Sequence, residues 1–266
     1  EVVAINNAKE DLTGASIAVS LEPCNHHGKT PPCTDAIINS GIKRVYFAVK
    51  DPNEIASGGA EKLRAAGIEV ESGLLESEAA YANRAWLSSI KLSRPYFTWK
   101  VAITLDGKIA ASDGSSKWIS NEDSRNLVHQ LRAQSDAVLV GTKTALVDLP
   151  KLDARIEGVE KQPLAVVIGL TDVSFQMPHA KQLFTHDPKS ALVHMAALGI
   201  QSLLLEGGRE VANAFLEAGC VDEIWVFEGE ATFGSGIQAP DIDPANWKVQ
   251  NQQRIGGDTL TVYARK

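Results

Sequence analysis

The chain has 266 residues, of which 44% are hydrophobic, and a formal net charge of −7. A chain of this size can form two globular domains with separate cores. An acidic balance without a basic run argues against nucleic-acid binding, which needs clustered Lys and Arg. No apolar run approaches the roughly 18 residues of a membrane span and no signal peptide is recognisable, so we expect no membrane partner and a cytoplasmic location.

The first informative segment is a loop between two of the three cysteines, Cys24 and Cys33. Residues 16–21 predict a strand before it, and residues 33–40 predict a helix that opens on the second cysteine. Two thiols on a rigid turn rich in Pro and Gly suit the tetrahedral shell of Zn²⁺. A disulfide and a pair of inert buried cysteines are the alternatives, and the polar loop favours a metal over both.

The following elements predict a mostly parallel α/β sheet and a domain boundary. Strands are expected at 44–49 and 68–70, and helices at 59–66 and 76–91. Pro95 marks a boundary near residue 94, because a proline disfavours helix in the residue before it. We therefore expect one domain over residues 1–94 and a second over residues 95–266.

The second domain opens with a predicted strand at 96–103, and Asp106-Gly107 then indicates a hairpin. Ser120 is the expected N-cap of a helix that runs to residue 134, and His129 is expected on its surface. Further strands are expected at 136–141, at 166–168, weakly around residue 183, at 201–206 and in the C-terminal segment, with a helix from residue 190.

Two segments of this domain have the composition of ligand sites. Residues 142–155 follow the carboxyl end of a strand and carry hydroxyl, charged, Gly and Pro residues. Gly207-Gly208 separates a strand from a predicted helix at 209–218, which would bring backbone N–H groups to an anion such as a pyrophosphate.

The segment Leu21-Glu22-Pro23-Cys24-Asn25-His26-His27-Gly28-Lys29-Thr30-Pro31-Pro32-Cys33 resembles the zinc loop of the bifunctional riboflavin-biosynthesis deaminase/reductase family. The resemblance implies a cytidine-deaminase-like three-layer domain in which Cys24 and Cys33 bind zinc and Glu1 is the catalytic proton shuttle. It also implies that His26 and Lys29 lie near the substrate.

One feature of the family motif is absent. The family's zinc-binding His stands two residues before the catalytic Glu, and this sequence begins at Glu1. We therefore expect a partial deaminase domain that binds zinc weakly, because two thiolates fill only half of a tetrahedral shell.

The second domain resembles the reductase half of the same family, through a collinear series from Lys100 to Glu223. The resemblance implies a dihydrofolate-reductase-like fold that uses NADPH to reduce 5-amino-6-(5-phosphoribosylamino)uracil, a small phosphorylated pyrimidine, to its ribitylamino product. It places these residues around the substrate: Lys100, Ser116, Arg132, Leu152, Arg155 and Glu206. It places these against NADPH: Ala102, Trp118, Thr144, Asp148, Gly208, Arg209 and Glu210.

Departures from the family pattern occur on the cofactor side, at Leu149, Gly169 and Leu170 and in the short segment 171–199. Two alternatives are a non-catalytic nucleotide-binding or assembly protein and a dihydrofolate-reductase-like enzyme for another pterin or pyrimidine. The polar residues Lys100, Arg132, Arg155 and Glu206 favour the riboflavin enzyme, because a decayed site would lose buried polar groups. We also expect a homo-oligomer.

Overall fold

A computed structural model describes residues 1–28, 30–53 and 55–266. It divides into two compact units, Glu1–Lys91 and Leu92–Lys266, so the division lies three residues before the predicted one. Arg94 lies in the second unit, where its guanidinium pairs with the Asp222 carboxylate at 2.7 Å. None of the helices formed by the described residues is long and apolar enough to cross a membrane.

The first unit is built on a parallel sheet in the order β1-β2-β3, made of Ser16–Leu21 (β1), Arg44–Val49 (β2) and Glu69–Ser72 (β3). Its helices are Val2–Asn6 (α1), Cys33–Asn39 (α2), Gly59–Ala65 (α3), Glu76–Ala82 (α4) and Arg84–Leu92 (α5). The predicted alternation of strands and helices is confirmed. It gives the three-layer arrangement, with separate apolar clusters joining β2 to α2 and α3 and joining β2 to α5.

The prediction of one helix over residues 76–91 is wrong, since α4 and α5 are separate. Asn83 lies between them with φ −97° and ψ 10°, and its side-chain amide donates to the Ala79 carbonyl at 2.9 Å. An Asn side chain that bonds the local backbone competes with helix continuation.

The second unit contains an eight-stranded sheet of described residues. Its strands, in chain order, are Tyr96–Ile103 (β4), Ala137–Gly141 (β6), Leu164–Ile168 (β7), Lys181–Leu183 (β8), Ser202–Leu205 (β9), Glu223–Glu228 (β10), Trp247–Ile255 (β12) and Asp258–Arg265 (β13). A separate two-stranded ribbon pairs Lys108–Ala110 (β5) with Ile237–Gln238 (β11). The helices are Glu122–Gln134 (α6), Thr142–Asp148 (α7), Pro188–Ala197 (α8) and Arg209–Glu217 (α9).

The strand order of the large sheet is β12-β13-β10-β4-β9-β6-β7-β8. All neighbouring strands from β10 to β8 are parallel, and β13 joins antiparallel to β10 and β12. The carboxyl ends of β4, β6, β7 and β9 therefore meet at one edge of the sheet. Open α/β sheets bind ligands at this edge.

Two local predictions in this unit need correction. Asp106-Gly107 does form a turn, with the Thr104 N–H donating to the Lys108 carbonyl at 2.9 Å, but β5 pairs with β11 rather than with β4. The Asp106 carboxylate accepts from the Gly234 N–H at 2.7 Å and so joins the turn to the segment before β11. The N-cap of α6 is Asn121, which accepts from the Ser124 N–H, and not Ser120.

Candidate active site of the second unit and candidate metal ligands of the first

Three buried charged side chains meet at the carboxyl edge of the large sheet. Arg132 on α6 donates two hydrogen bonds to the carboxylate of Glu206, the residue after β9, from Nε at 2.5 Å and from Nη2 at 3.0 Å. Lys100 on β4 places its Nζ 3.9 Å from a Glu206 oxygen. The side chains of Lys100, Arg132 and Glu206 are 18%, 13% and 11% exposed, so two cations share one anion in a largely water-free setting.

This setting shifts the ionisation of the cluster. Burial would raise the pKa of the Glu206 carboxyl, but the Arg132 hydrogen bonds and the Lys100 charge outweigh burial and hold that pKa below its ordinary value. Burial lowers the pKa of the Lys100 ammonium; Glu206 opposes this effect and Arg132 adds to it. Glu206 is thus a firmly ionised acceptor, and Lys100 gives up its proton more readily than a surface lysine.

Arg155 lies next to this cluster and is more exposed, with 54% of its side chain accessible. Its Nη1 donates to the Asp153 carboxylate at 2.6 Å, and the Asp153 carbonyl accepts from Arg132 Nη1 at 3.1 Å. Part of the Arg155 guanidinium is therefore accessible to a ligand, whereas Arg132 donates through Nε, Nη1 and Nη2 to Glu206 and Asp153.

His129 on α6, expected as a partly exposed surface residue, is half-buried and contacts Arg155, which the sequence analysis did not predict. Its Nδ1 is 3.2 Å from the Arg155 backbone nitrogen, and its Nε2 is 3.1 Å from Arg155 Nη2. The available signal was its spacing, since His129 precedes Arg132 by three residues and so shares its face of α6.

Leu152 reaches this region only through its backbone. Its side chain is 2% exposed and packs in an apolar cluster with Leu131 and Val138. Leu149 and Leu152 have φ angles of 43° and 57°, which L-residues other than Asn and Asp seldom adopt. The segment that carries Asp153 and Arg155 is therefore tightly constrained.

The proposed diphosphate region begins directly after Glu206. Gly208 is the N-cap of α9, no side chain caps the helix, and a Cβ added at Gly208 would meet no atom within 4 Å. A Cβ at Gly207 would lie 2.8 Å from a Leu205 methyl, and one at Gly141 would lie 2.7 Å from a Val211 methyl. Glycines thus let α9 approach the sheet while its first N–H groups face open space, which fits an anion. Arg209 and Glu210 are exposed there.

The other residues expected near the cofactor lie on several elements. Thr144 and Asp148 are on α7, which follows β6 directly, and Ala102 is half-buried on β4. Gly169 has φ 137°, and a Cβ there would lie 2.7 Å from a Thr142 methyl at the start of α7. That departure from the family pattern thus has a steric reason.

Ser116 and Trp118 lie in the exposed segment between β5 and α6. Trp118 is 68% exposed, and the Arg125 guanidinium stacks over its ring in a cation–π contact, with Cζ 4.4 Å from the ring centre. Among the described residues, no hydrogen bond or ion pair joins Ser116 or Trp118 to the Lys100 cluster.

In the first unit, the structure brings the two predicted zinc ligands together. Cys24 follows β1, Cys33 begins α2, and the Cys33 N–H points at the Cys24 sulfur at 3.3 Å. Burial, the adjacent Cys24 thiol and the Glu1 carboxyl raise the pKa of the Cys33 thiol to about 12. Glu1 is thus in contact with Cys33. The described residues contain no group of three or more metal-binding side chains.

The segment directly before Cys24 packs closely against the start of α3. The buried Glu22 carboxylate accepts from the Ala60 N–H at 2.9 Å, and a Cβ on Gly59 would lie 1.9 Å from the Pro23 carbonyl. His26 has a buried Nδ1 without a hydrogen-bond partner among the described residues. Lys29, the other residue expected near the substrate, lies outside the described residues.

Comparisons with known proteins match both units. The family model of the RibD C-terminal domain matches residues 95–261, and that of the cytidine and deoxycytidylate deaminase zinc-binding region matches residues 1–49. Riboflavin biosynthesis protein RibD of Mycobacterium tuberculosis (strain H37Rv) is 41% identical over 98% of this chain and 81% of that protein. The RibD protein of Aquifex aeolicus (strain VF5) is 41% identical over 100% of this chain and 85% of that protein.

A solved structure agrees. A diaminohydroxyphosphoribosylaminopyrimidine deaminase/5-amino-6-(5-phosphoribosylamino)uracil reductase from Thermotoga maritima superposes with a TM-score of 0.87 at 34% identity, covering 100% of this chain and 83% of that one. The sequence matches and the structural superposition therefore both point to the same family, and both cover the whole chain. The chain belongs to the RibD family of riboflavin biosynthesis proteins.

Proposed function

We propose that the second unit uses NADPH to reduce 5-amino-6-(5-phosphoribosylamino)uracil to its ribitylamino product, in the cytoplasm. The observation that carries this proposal is the buried cluster of Lys100, Arg132 and Glu206. Within this cluster, Glu206 directly precedes Gly207-Gly208. The proposed substrate site therefore lies next to the uncapped N-terminus of α9, the proposed diphosphate site. The match to the RibD C-terminal domain supports the same reaction.

The exposure and pairing of Arg155, Glu206 and Lys100 suggest a different role for each residue. Arg155 is the better phosphate ligand, because its guanidinium is half exposed whereas Arg132 is occupied by Glu206. Glu206, held ionised by Arg132, can accept from the donor edge of the pyrimidine. Lys100 is the group in the cluster that can hold or release a proton beside the reacting sugar.

The residues fit a dinucleotide at the start of α9. The uncapped N–H groups after Gly208 can bind its diphosphate, and Thr144, Asp148, Ala102 and Trp118 would line the rest. NADPH supplies the hydride when it is bound. The chain itself supplies binding, orientation and a dry, charged surrounding for the substrate.

In the first unit we propose Cys24 and Cys33 as zinc ligands, with Glu1 as the proton shuttle and His26 near the substrate. The nearness of the Cys33 thiol to both Cys24 and the Glu1 carboxyl supports this set, as does the match to a deaminase zinc-binding region. Two sulfurs fit only part of a tetrahedral shell. These residues alone therefore do not complete a zinc site for deamination.

The proposal is tested by following the loss of NADPH absorbance with the phosphorylated ribosylaminouracil as substrate. We expect turnover by the unaltered chain, and a rise in KM of at least about tenfold in Arg155→Ala, since a hydrogen-bonded charge pair contributes about 1.5–3 kcal/mol. The dephosphorylated compound should react equally poorly with both proteins. Equal activity on both compounds would favour a reductase for another pyrimidine, and bound NADPH without turnover would favour a non-catalytic protein.

A further inference from the structure

His129 holds Arg155 from one side while Asp153 holds it from the other. The imidazole lies near the Arg155 backbone nitrogen through Nδ1, at 3.2 Å, and near its guanidinium through Nε2, at 3.1 Å. The Asp153 carboxylate takes Nη1 at 2.6 Å. The Arg155 side chain is 54% exposed, and its guanidinium thus lies between a ring nitrogen and a carboxylate.

The charge of His129 decides whether it can do this. Both Arg155 groups that face the ring are donors, and a neutral imidazole has one lone pair whereas an imidazolium has none. Burial lowers the pKa of His129, and the adjacent Arg132 and Arg155 lower it further, against the Asp153 carbonyl and Glu206. These are the charged and polar groups that face the ring from α6, from the segment after α7 and from the end of β9. The ring is therefore neutral at neutral pH and can accept from one of these two donors; in the tautomer whose lone pair is on Nε2, it accepts from the Arg155 guanidinium.

We propose that His129 is a positioning residue of the phosphate site: its neutral ring fixes the Arg155 guanidinium in the orientation that receives the 5′-phosphate of the substrate. This inference rests on the proposed function, because it takes Arg155 as the phosphate ligand. Its physical basis is preorganisation, since a long side chain that is ordered before binding loses less conformational entropy when the ligand arrives.

Three substitutions separate this role from simple packing. His129→Asn and His129→Gln keep an acceptor on the side chain, whereas His129→Leu removes it. We expect His129→Leu to raise the KM and Kd for the phosphorylated ribosylaminouracil by about three- to tenfold with little change in kcat, as loss of one preordered side chain predicts. At least one of the two amide variants should recover most of this loss. His194→Leu, at an exposed position of α8, is the matched control and should behave as the unaltered chain.

Binding is measured by calorimetry without NADPH, with phosphorylated and dephosphorylated ligands, at pH 7.5 and at steps down to pH 5. Only the phosphorylated ligand should respond to His129→Leu. Affinity of the unaltered chain should fall as pH drops through the lowered pKa of His129, below 6.5. The amide variants should retain only the pH dependence caused by the phosphate itself, which titrates at about pH 6.

The outcomes are distinct. Equal binding by His129→Leu and the unaltered chain would overturn the inference and leave the proposed function intact. A loss of affinity that is the same for both ligands would also overturn it, because the residue would then only support the fold. An unaltered chain that binds neither ligand would overturn the proposed function together with this inference.

Discussion

Lys100 is the residue at which stability and function oppose each other. It is a buried cation in a cluster with two positive charges and one negative charge, and Glu206 is already neutralised by Arg132. A buried charge without a close partner destabilises the fold. Its position beside the proposed substrate site gives a reason to keep it.

We expect Lys100→Met to raise the free energy of unfolding by on the order of 1 kcal/mol while it abolishes reductase activity. Chemical denaturation at pH 7 and the NADPH assay measure the two effects. Arg132→Met is the control, because it leaves the Glu206 carboxylate without its bidentate partner and should destabilise by about 3 kcal/mol. A less stable Lys100→Met variant would contradict the prediction.

The same residue gives a pH dependence of defined sign. The pKa of Lys100 is lowered in the folded protein from its ordinary 10.5, so between the two values the unfolded chain binds the extra proton. Stability therefore rises with pH through that window, up to about pH 10.5, and this rise should be missing in Lys100→Met.

Within single elements, glycines decide how closely the backbone can pack. Gly229 follows β10 directly, and its N–H donates to the Ile103 carbonyl at 2.9 Å. A Cβ at Gly229 would lie 2.0 Å from the Ile119 carbonyl oxygen, a backbone atom that no side-chain rotation can move away. The segment that carries Trp118 is therefore fixed against the end of β10.

We expect Gly229→Ser to destabilise the protein by about 2 kcal/mol through overpacking and to weaken NADPH binding by displacing the Trp118 segment. Gly208→Ser is the matched control, because a side chain there meets no atom within 4 Å and Ser is a good N-cap. It should leave stability within about 0.5 kcal/mol yet also weaken NADPH binding, since its hydroxyl would occupy N–H groups of α9. Denaturation and fluorescence titration with NADPH test both variants, and an unaffected Gly229→Ser protein would refute the argument.

Elements with apolar periodicity could be predicted from the sequence, and others could not. Strands β2 and β4 match their predicted bounds because most of their apolar residues are buried, and β1 matches because half-buried Ile17, Val19 and Leu21 alternate with exposed residues. Strand β12 was missed because seven of its nine residues are exposed and mostly polar, so neither face shows a hydrophobic pattern. Helix α7 was missed because its residues also suit a ligand loop.

The nearness of Cys24 and Cys33 could be predicted from the family motif that names them, and the fold brings the two residues together. The pairing of Arg132 with Glu206 was not predictable, because these residues are far apart in the sequence and only the packing of α6 beside β9 joins them. The spacing of His129 from Arg132 placed both on one face of α6, but the contact of His129 with Arg155 joins residues 26 apart in the sequence and depends on the fold.

For the molecule as a whole, residues 92–94 decide where the second unit begins. The RibD C-terminal match begins at residue 95, whereas the second unit begins at Leu92. Between these points lies Arg94, which pairs with Asp222 through two contacts of 2.7 Å. The Asp222 side chain is 12% exposed, so the carboxylate depends on this partner.

We expect a fragment of residues 92–266 to fold cooperatively, because it keeps the complete large sheet and its core. A fragment of residues 96–266 should be less stable by about 2 kcal/mol, the contribution of a charged hydrogen-bonded pair. Arg94→Met in the longer fragment should reproduce that loss. Equal stability of the two fragments, by urea unfolding, would show that the pair does not matter.

The two outer strands of the large sheet also affect how the protein behaves among other chains. Strand β8 has only three residues, and β12 is polar, carries Lys248 and Arg254 and has an irregular register near Val249. Short, charged or bulged edge strands are poor templates for a further strand. At high concentration in the cell, this sheet should therefore resist growing into edge-to-edge aggregates, although its interior strands are rich in Val, Leu and Ile.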